Sequence, residues 1–186
     1  MATRLLRGAV LGGTIVFLWG AVSWMVLPWH AATLRAFAKE DAMVDAIERS
    51  TLQSGVYFLP EPHGPRAQQP PKAPDESPGP SMLAAIRLTA ADARSPWFSL
   101  GGLLIAMLGA LAMGAFLSTT VPGLAYWARV RTIVLVAFLA GLLTRVPDWH
   151  WWGFSGDYTL LGLLDLVIGW FLGGLVIARA VHQDHG

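Results

Sequence analysis

His30, Asp148, His150 and Asp157 are the side chains in this sequence whose types and placement could hold a metal ion. Imidazole and carboxylate together suit zinc, iron or manganese. Three of the four come from one stretch, VPDWHWWGFSGDY, over residues 146–158. The fourth belongs to a stripe of Trp19, Ser23, Val26 and His30, because eleven residues make almost three turns of helix. His30 is thereby expected above Ser23, level with the tryptophan-rich stretch. The spacing matches neither HExxH nor a paired Glu-x-x-His motif. The favoured reading is therefore anchoring and capping, with no cofactor; the alternative is a divalent metal. Asp157, just before Tyr158, is placed to favour the positive end of the helix that follows. Pro147 is expected to end the preceding helix, and Gly153 and Gly156 to allow a tight turn.

A second candidate is Asp165, inside an apolar run. A carboxylate facing lipid there would cost about 2.5 to 3.5 kcal/mol on insertion scales. It must face protein or water, be protonated, or be paired. Arg145 is the expected partner, giving an intramembrane polar pair. Haem would need two axial histidines at facing depths, whereas His30 and His150 both lie at an edge. His63 falls in a proline-rich segment, and His182 and His185 in the terminal tail.

The composition limits the chemistry further. The chain has no cysteine, which removes thiol redox chemistry, Fe–S clusters and thiolate-bound metals. Its net charge is only +1, so nucleic acid has no electrostatic support as a partner. No Gly-rich phosphate loop is present, so a nucleotide is not expected either. Residues are 54% hydrophobic and 13% charged, against about 25% charged in a soluble domain.

The elements that position these groups are blocks of about 20 apolar residues, long enough to cross a bilayer. Four spans are read, at 8–27, 97–118, 132–146 and 158–178. The fold class is an all-α integral membrane protein, one domain over 1–186, with an extracytoplasmic insertion at 28–96. That insertion is read as an amphipathic helix over 31–54, continuing from the first span. A β-hairpin then pairs Val56, Tyr57 and Phe58 with Ile86 and Leu88; a short helix capped by Ser81 is its rival. Between them, the proline-rich tip at 60–80 is expected to be extended.

Basic residues in short flanks set orientation. Arg4, Arg7, Arg129, Arg131 and Arg179 fall on one side, and only Arg145 in the short loop opposite. Both termini are accordingly expected to be cytoplasmic. Trp29, Trp97, Trp127, Trp149, Trp151 and Trp152 fall at the expected interfaces, where an indole anchors well. Small residues recur at helical spacing as Gly102, Ala106, Ala110 and Gly114, and again as Gly162, Gly169 and Gly173. Such faces let helix backbones approach in lipid. The expected role is a non-enzymatic accessory or assembly subunit of the bacterial plasma membrane. Its partners would be the lipid bilayer and another membrane protein or a second copy. The alternative is a small membrane enzyme or metal protein with its site around His30 and His150.

Overall fold

The computed structural model describes residues 2–61, 64, 80–89, 95–120 and 123–181. Four of its helices are long and apolar enough to cross a membrane: α1 (Ala2–Met25), α4 (Pro96–Thr120), α5 (Tyr126–Trp152) and α6 (Gly156–Ala180). Between α1 and α4 come two short helices, α2 (Trp29–Thr33) and α3 (Glu40–Ser50), and two strands, β1 (Gly55–Leu59) and β2 (Met82–Ile86). The chain divides into two compact units.

The first unit, residues 1–34, 93–150 and 154–186, is the helical bundle. Helix α1 is its central member, packed on both α4 and α6. Two adjacent faces of α1 do this. Gly12, Val16 and Trp19 lie against Ile177, Gly173 and Gly169 of α6, so the two helices run antiparallel. Gly13 and Phe17 lie against Met107 and Gly102 of α4, also antiparallel. Helix α5 packs on α6: Gly141 meets Leu163 and Leu166, and Gly174 meets Ile133. The buried apolar core is Ala110, Leu117, Val130, Ile133, Ile177, Ala178 and Val181, with Trp170 packed against it. It sits towards the end of the bundle where α1 and α5 begin and α6 ends. There Tyr126 donates its hydroxyl to the Leu175 carbonyl at 3.0 Å, tying α5 to α6.

The third span runs past the outer end that the sequence reading gave it, and its inner end takes in Tyr126 and Trp127. Helix α5 runs through Pro147 to Trp152 instead of stopping at the proline. A proline removes one amide donor and crowds the preceding turn. So near the C-terminus, that cost falls on a single turn. The helix stops instead at Gly153, whose φ of 75° is open to glycine at little cost. The Phe154 amide then closes onto the Asp148 carbonyl at 3.3 Å.

The second unit comprises residues 35–92 with 151–153. Its helix is α3, and it does not continue from α1 as one amphipathic helix. The chain is extended at Leu34 and regains helix only at Glu40. Two local causes can be named. Thr33 turns its hydroxyl onto the His30 carbonyl at 2.9 Å, offering the backbone an alternative to further helix. Glu40 and Asp41 then favour a fresh helix start, and Arg49 its end. The two strands pair antiparallel, with Gly55 opposite Ile86, Tyr57 opposite Ala84 and Leu59 opposite Met82. Leu88 lies just past β2, where its amide bonds Ser54 Oγ at 3.1 Å. Phe58 meets the Trp152 ring edge-on at 5.9 Å. Most of the proline-rich tip lies outside the described residues, as do His63, His182 and His185.

Candidate functional site

The polar centre of the bundle is built where α1 stops. The last carbonyls of any helix lack intrahelical partners. Pro28 has no amide donor and starts α2 in a new direction. That turn carries Trp29 back over α1, where its indole N–H lies 3.0 Å from the Ser23 carbonyl and 3.1 Å from Ser23 Oγ. The next residue, His30, is brought into the bundle. Its Nε2 lies 2.9 Å from Ser23 Oγ and 3.5 Å from Asp165 Oδ2 of α6. The imidazole is 4% exposed and Ser23 fully buried.

Asp165 is held from the other side by Trp19. The indole N–H donates to Asp165 Oδ1 at 2.8 Å and reaches the Asp165 backbone carbonyl at 3.1 Å. Trp19 can come this close because Gly169 faces it; a β-carbon there would fall 2.9 Å from Trp19 Cδ1. Aromatic rings enclose the cluster. Trp24 stacks on His30 with ring centres 3.9 Å apart, and Trp29 meets both Trp19 and His30 edge-on. Two hydrogen-bonded groups, Trp19 with Asp165 and Ser23 with Trp29 and His30, thus meet at the 3.5 Å approach of His30 to Asp165 and form one polar network from three helices.

Serine, histidine and aspartate in contact invite comparison with a nucleophilic relay. That chemistry requires serine on one ring nitrogen and the carboxylate on the other. Here Ser23 and Asp165 both face Nε2. A proton on Nε2 can be shared between the two oxygens; without it, Nε2 accepts the Ser23 hydroxyl. The serine also has no exposed surface for a substrate to reach. The arrangement is suited to locking α1, α2 and α6 together.

The sequence-derived candidates are distributed differently from the expectation. His30 does sit above Ser23, but on a separate helix. Asp165 takes Trp19 and His30 as partners, not Arg145. The Arg145 guanidinium lies along Gly162, about one turn away on α6. Asp148 and His150 occupy the last turns of α5, and His150 lies beside Trp149 with ring centres 6.2 Å apart. Asp157 is in the first turn of α6, and its Oδ1 accepts the Tyr158 amide at 3.0 Å. Among the described residues, no three metal-ligating side chains gather. Trp97, Trp127, Trp149, Trp151 and Trp152 are exposed, whereas Trp29 is half-buried in the network.

Ser23, Trp19 and Trp29 are site members that sequence reasoning did not join to Asp165. The signal was partly there, since Trp19, Ser23 and His30 share a stripe and Asp165 a glycine face. What was missing is that Gly12 and Gly173 bring those two faces together. No protein-family model matches the chain, and neither a curated protein nor a solved structure shows significant similarity to it.

Proposed function

We propose that this chain is a multi-pass protein of the bacterial plasma membrane, acting as an accessory or assembly subunit that binds another membrane protein. The observation that carries the reading is the second unit. Among its described residues only Thr51 and Gly64 are buried, and neither is a large apolar side chain. Phe37, Val44, Leu52 and Val56 are exposed. A two-stranded hairpin is marginal by itself in water. A unit with an ordered helix and hairpin but no large buried apolar side chain among its described residues gains stability by burying that surface against something else. The bundle supports the membrane setting. Ile105, Leu108, Leu143 and Leu160 are half exposed or more, an apolar girdle that hydrocarbon would cover.

Orientation follows the arginines. With Arg4, Arg7, Arg129, Arg131 and Arg179 cytoplasmic, residues 28–96 face outward. A reporter active only outside the cytoplasm is expected to give signal when fused at Ala73 and none at Gly186. The opposite pattern would reverse the orientation. The bias of arginine over lysine, with only Lys39 and Lys72 among 13 basic residues, is common in GC-rich bacterial genomes and supports a bacterial source.

The subunit role is tested by purifying the tagged chain from its native membrane in mild detergent. A larger membrane protein is expected to accompany it in fixed ratio. That association should be lost when Phe37 and Val44 are both changed to serine, with the bundle still folded. A chain that purifies alone with one equivalent of divalent metal, lost on changing His30 or His150 to alanine, would favour the membrane-enzyme alternative instead.

A further inference from the structure

A groove of about 430 Å³ runs between α5 and α6. Val130, Val134, Leu135 and Phe138 form its α5 side, and Val167 and Phe171 its α6 side. The α5 positions recur at helical spacing, so they make one stripe. Leu135, Phe138 and Phe171 are exposed, so the groove opens outward from the bundle. Trp127 begins the stripe in the first turn of α5, where an exposed indole suits the membrane–water interface. From Trp127 to Phe138 the helix rises about 16 Å, at about 1.5 Å per residue. One leaflet of hydrocarbon is about 15 Å deep, half of the whole core. The groove therefore extends from one interface to the midplane. Arg131 is the one charged side chain lining it among the described residues, and it is exposed one turn along from Trp127. Helical side chains lean toward the helix N-terminus, which directs this guanidinium to the interface end of the groove. No acidic side chain stands at that end among the described residues. Helices α1 and α4 carry none, α5 none before Asp148 and α6 none after Asp165.

We propose that this groove binds an anionic phospholipid, its phosphate on Arg131, its glycerol backbone beside Trp127 and one acyl chain along Val134, Phe138 and Phe171. A guanidinium presents paired N–H donors that match phosphate oxygens two at a time. Beyond it the walls are apolar for the depth of one leaflet, which an acyl chain of that leaflet matches in length and chemistry. A headgroup with an ammonium beside its phosphate brings a like charge up to Arg131 and loses part of the attraction. A free phosphate ester would meet one exposed guanidinium and nothing else, and exposed ion pairs contribute little. The inference rests on the membrane setting proposed above and not on the subunit role.

Native mass spectrometry of the full chain, extracted from membranes in uncharged detergent, tests this with phosphatidylglycerol, phosphatidylcholine of the same acyl chains, and glycerol 3-phosphate. Phosphatidylglycerol is expected to bind more tightly than phosphatidylcholine, and glycerol 3-phosphate not to bind. Arg131→Gln should lower the affinity for phosphatidylglycerol about fivefold. Arg179→Gln should leave it unchanged, because Arg179 is exposed at the same end of the bundle but does not line the groove. On the unsubstituted chain, a phosphatidylglycerol with a diazirine midway along one acyl chain should crosslink within 134–138 or at Phe171. Equal binding of the two lipids, binding of glycerol 3-phosphate as tight as the lipid, or no loss in Arg131→Gln would overturn the proposal. So would an equal loss in Arg179→Gln, which marks diffuse attraction to a basic end, or crosslinks spread evenly over α1 and α4, which mark general bilayer contact. A chain absent from the membrane fraction would overturn the membrane setting itself, whereas a membrane-extracted chain without lipid preference would overturn the groove alone.

Discussion

Changing Asp165 to leucine is expected to destabilise the bundle by about 2 to 3 kcal/mol, the range for losing a hydrogen bond to a charged group with its partner left buried. Thermal unfolding in detergent should fall by about 5 to 10 °C for a chain of this size. The loss arises at two points. The Trp19 indole loses its 2.8 Å acceptor and keeps only the backbone carbonyl of the same residue. His30 loses one of the two oxygens facing Nε2. Asparagine retains an acceptor in place, so Asp165→Asn should cost about 0.6 kcal/mol, the average for interhelical hydrogen bonds in membranes. Trp19→Phe combined with Asp165→Leu should cost less than the sum of the two, because they remove one shared bond. Arg145→Leu should instead add independently to Asp165→Leu. Equal damage from leucine and asparagine would show that the negative charge itself holds the network, whereas proton or ion handling at this site would instead show as loss of activity in Asp165→Asn with stability intact. Non-additivity with Arg145 would restore the pair expected from sequence.

The contrast between Arg145 and Trp19 shows what sequence could reveal of this site. The need of Asp165 for a buried partner was legible, because a carboxylate in an apolar run cannot face lipid. The identity of the partner was not. Spacing along α6 gives the face but not the neighbouring helix, and an arginine near the same level was the obvious cation. A neutral indole from α1 satisfies the carboxylate instead, since Gly169 leaves room for it. The same applies to His30. Its place on the Ser23 stripe followed from helical period, yet the contact depends on the helix break before Pro28, which periodicity does not contain. The four apolar helices were legible because length and hydropathy alone determine them. The strand pairing followed from two short β-prone runs bounded by Gly and Pro. The end of α5 was not legible, because a proline near a helix C-terminus can be absorbed when a glycine a few residues on provides the real stop.

Gly13→Ala is expected to be the most damaging single-methyl change in the bundle, at about 3 kcal/mol, the upper end for overpacking. A β-carbon at position 13 would fall 2.5 Å from Met107 Cα and 2.7 Å from Met107 N. Those are backbone atoms of α4, so no rotamer change can relieve the clash and the helices must separate. Separation would also draw α1 away from the network, because Trp19 and Ser23 stand less than about three turns along from Gly13 on the same helix. Gly12→Ala should cost less. Its new methyl would fall 2.4 Å from Ile177 Cγ1, a side-chain atom that can give way only by a χ1 change in a fully buried residue, and the Gly173 carbonyl is also close at 3.3 Å; no backbone atom lies as near as at Gly13. Gly20→Ala is the control within the same helix. Nothing lies within 4 Å of a β-carbon there, so alanine should be neutral or stabilising by up to about 1 kcal/mol through helix propensity. Unfolding temperatures in detergent should therefore rank Gly20→Ala highest, Gly12→Ala next and Gly13→Ala lowest. If Gly13→Ala unfolded at the same temperature as Gly20→Ala, α1 and α4 would not touch at Met107. The close packing that positions Trp19 and Ser23 over α6 would then need another cause.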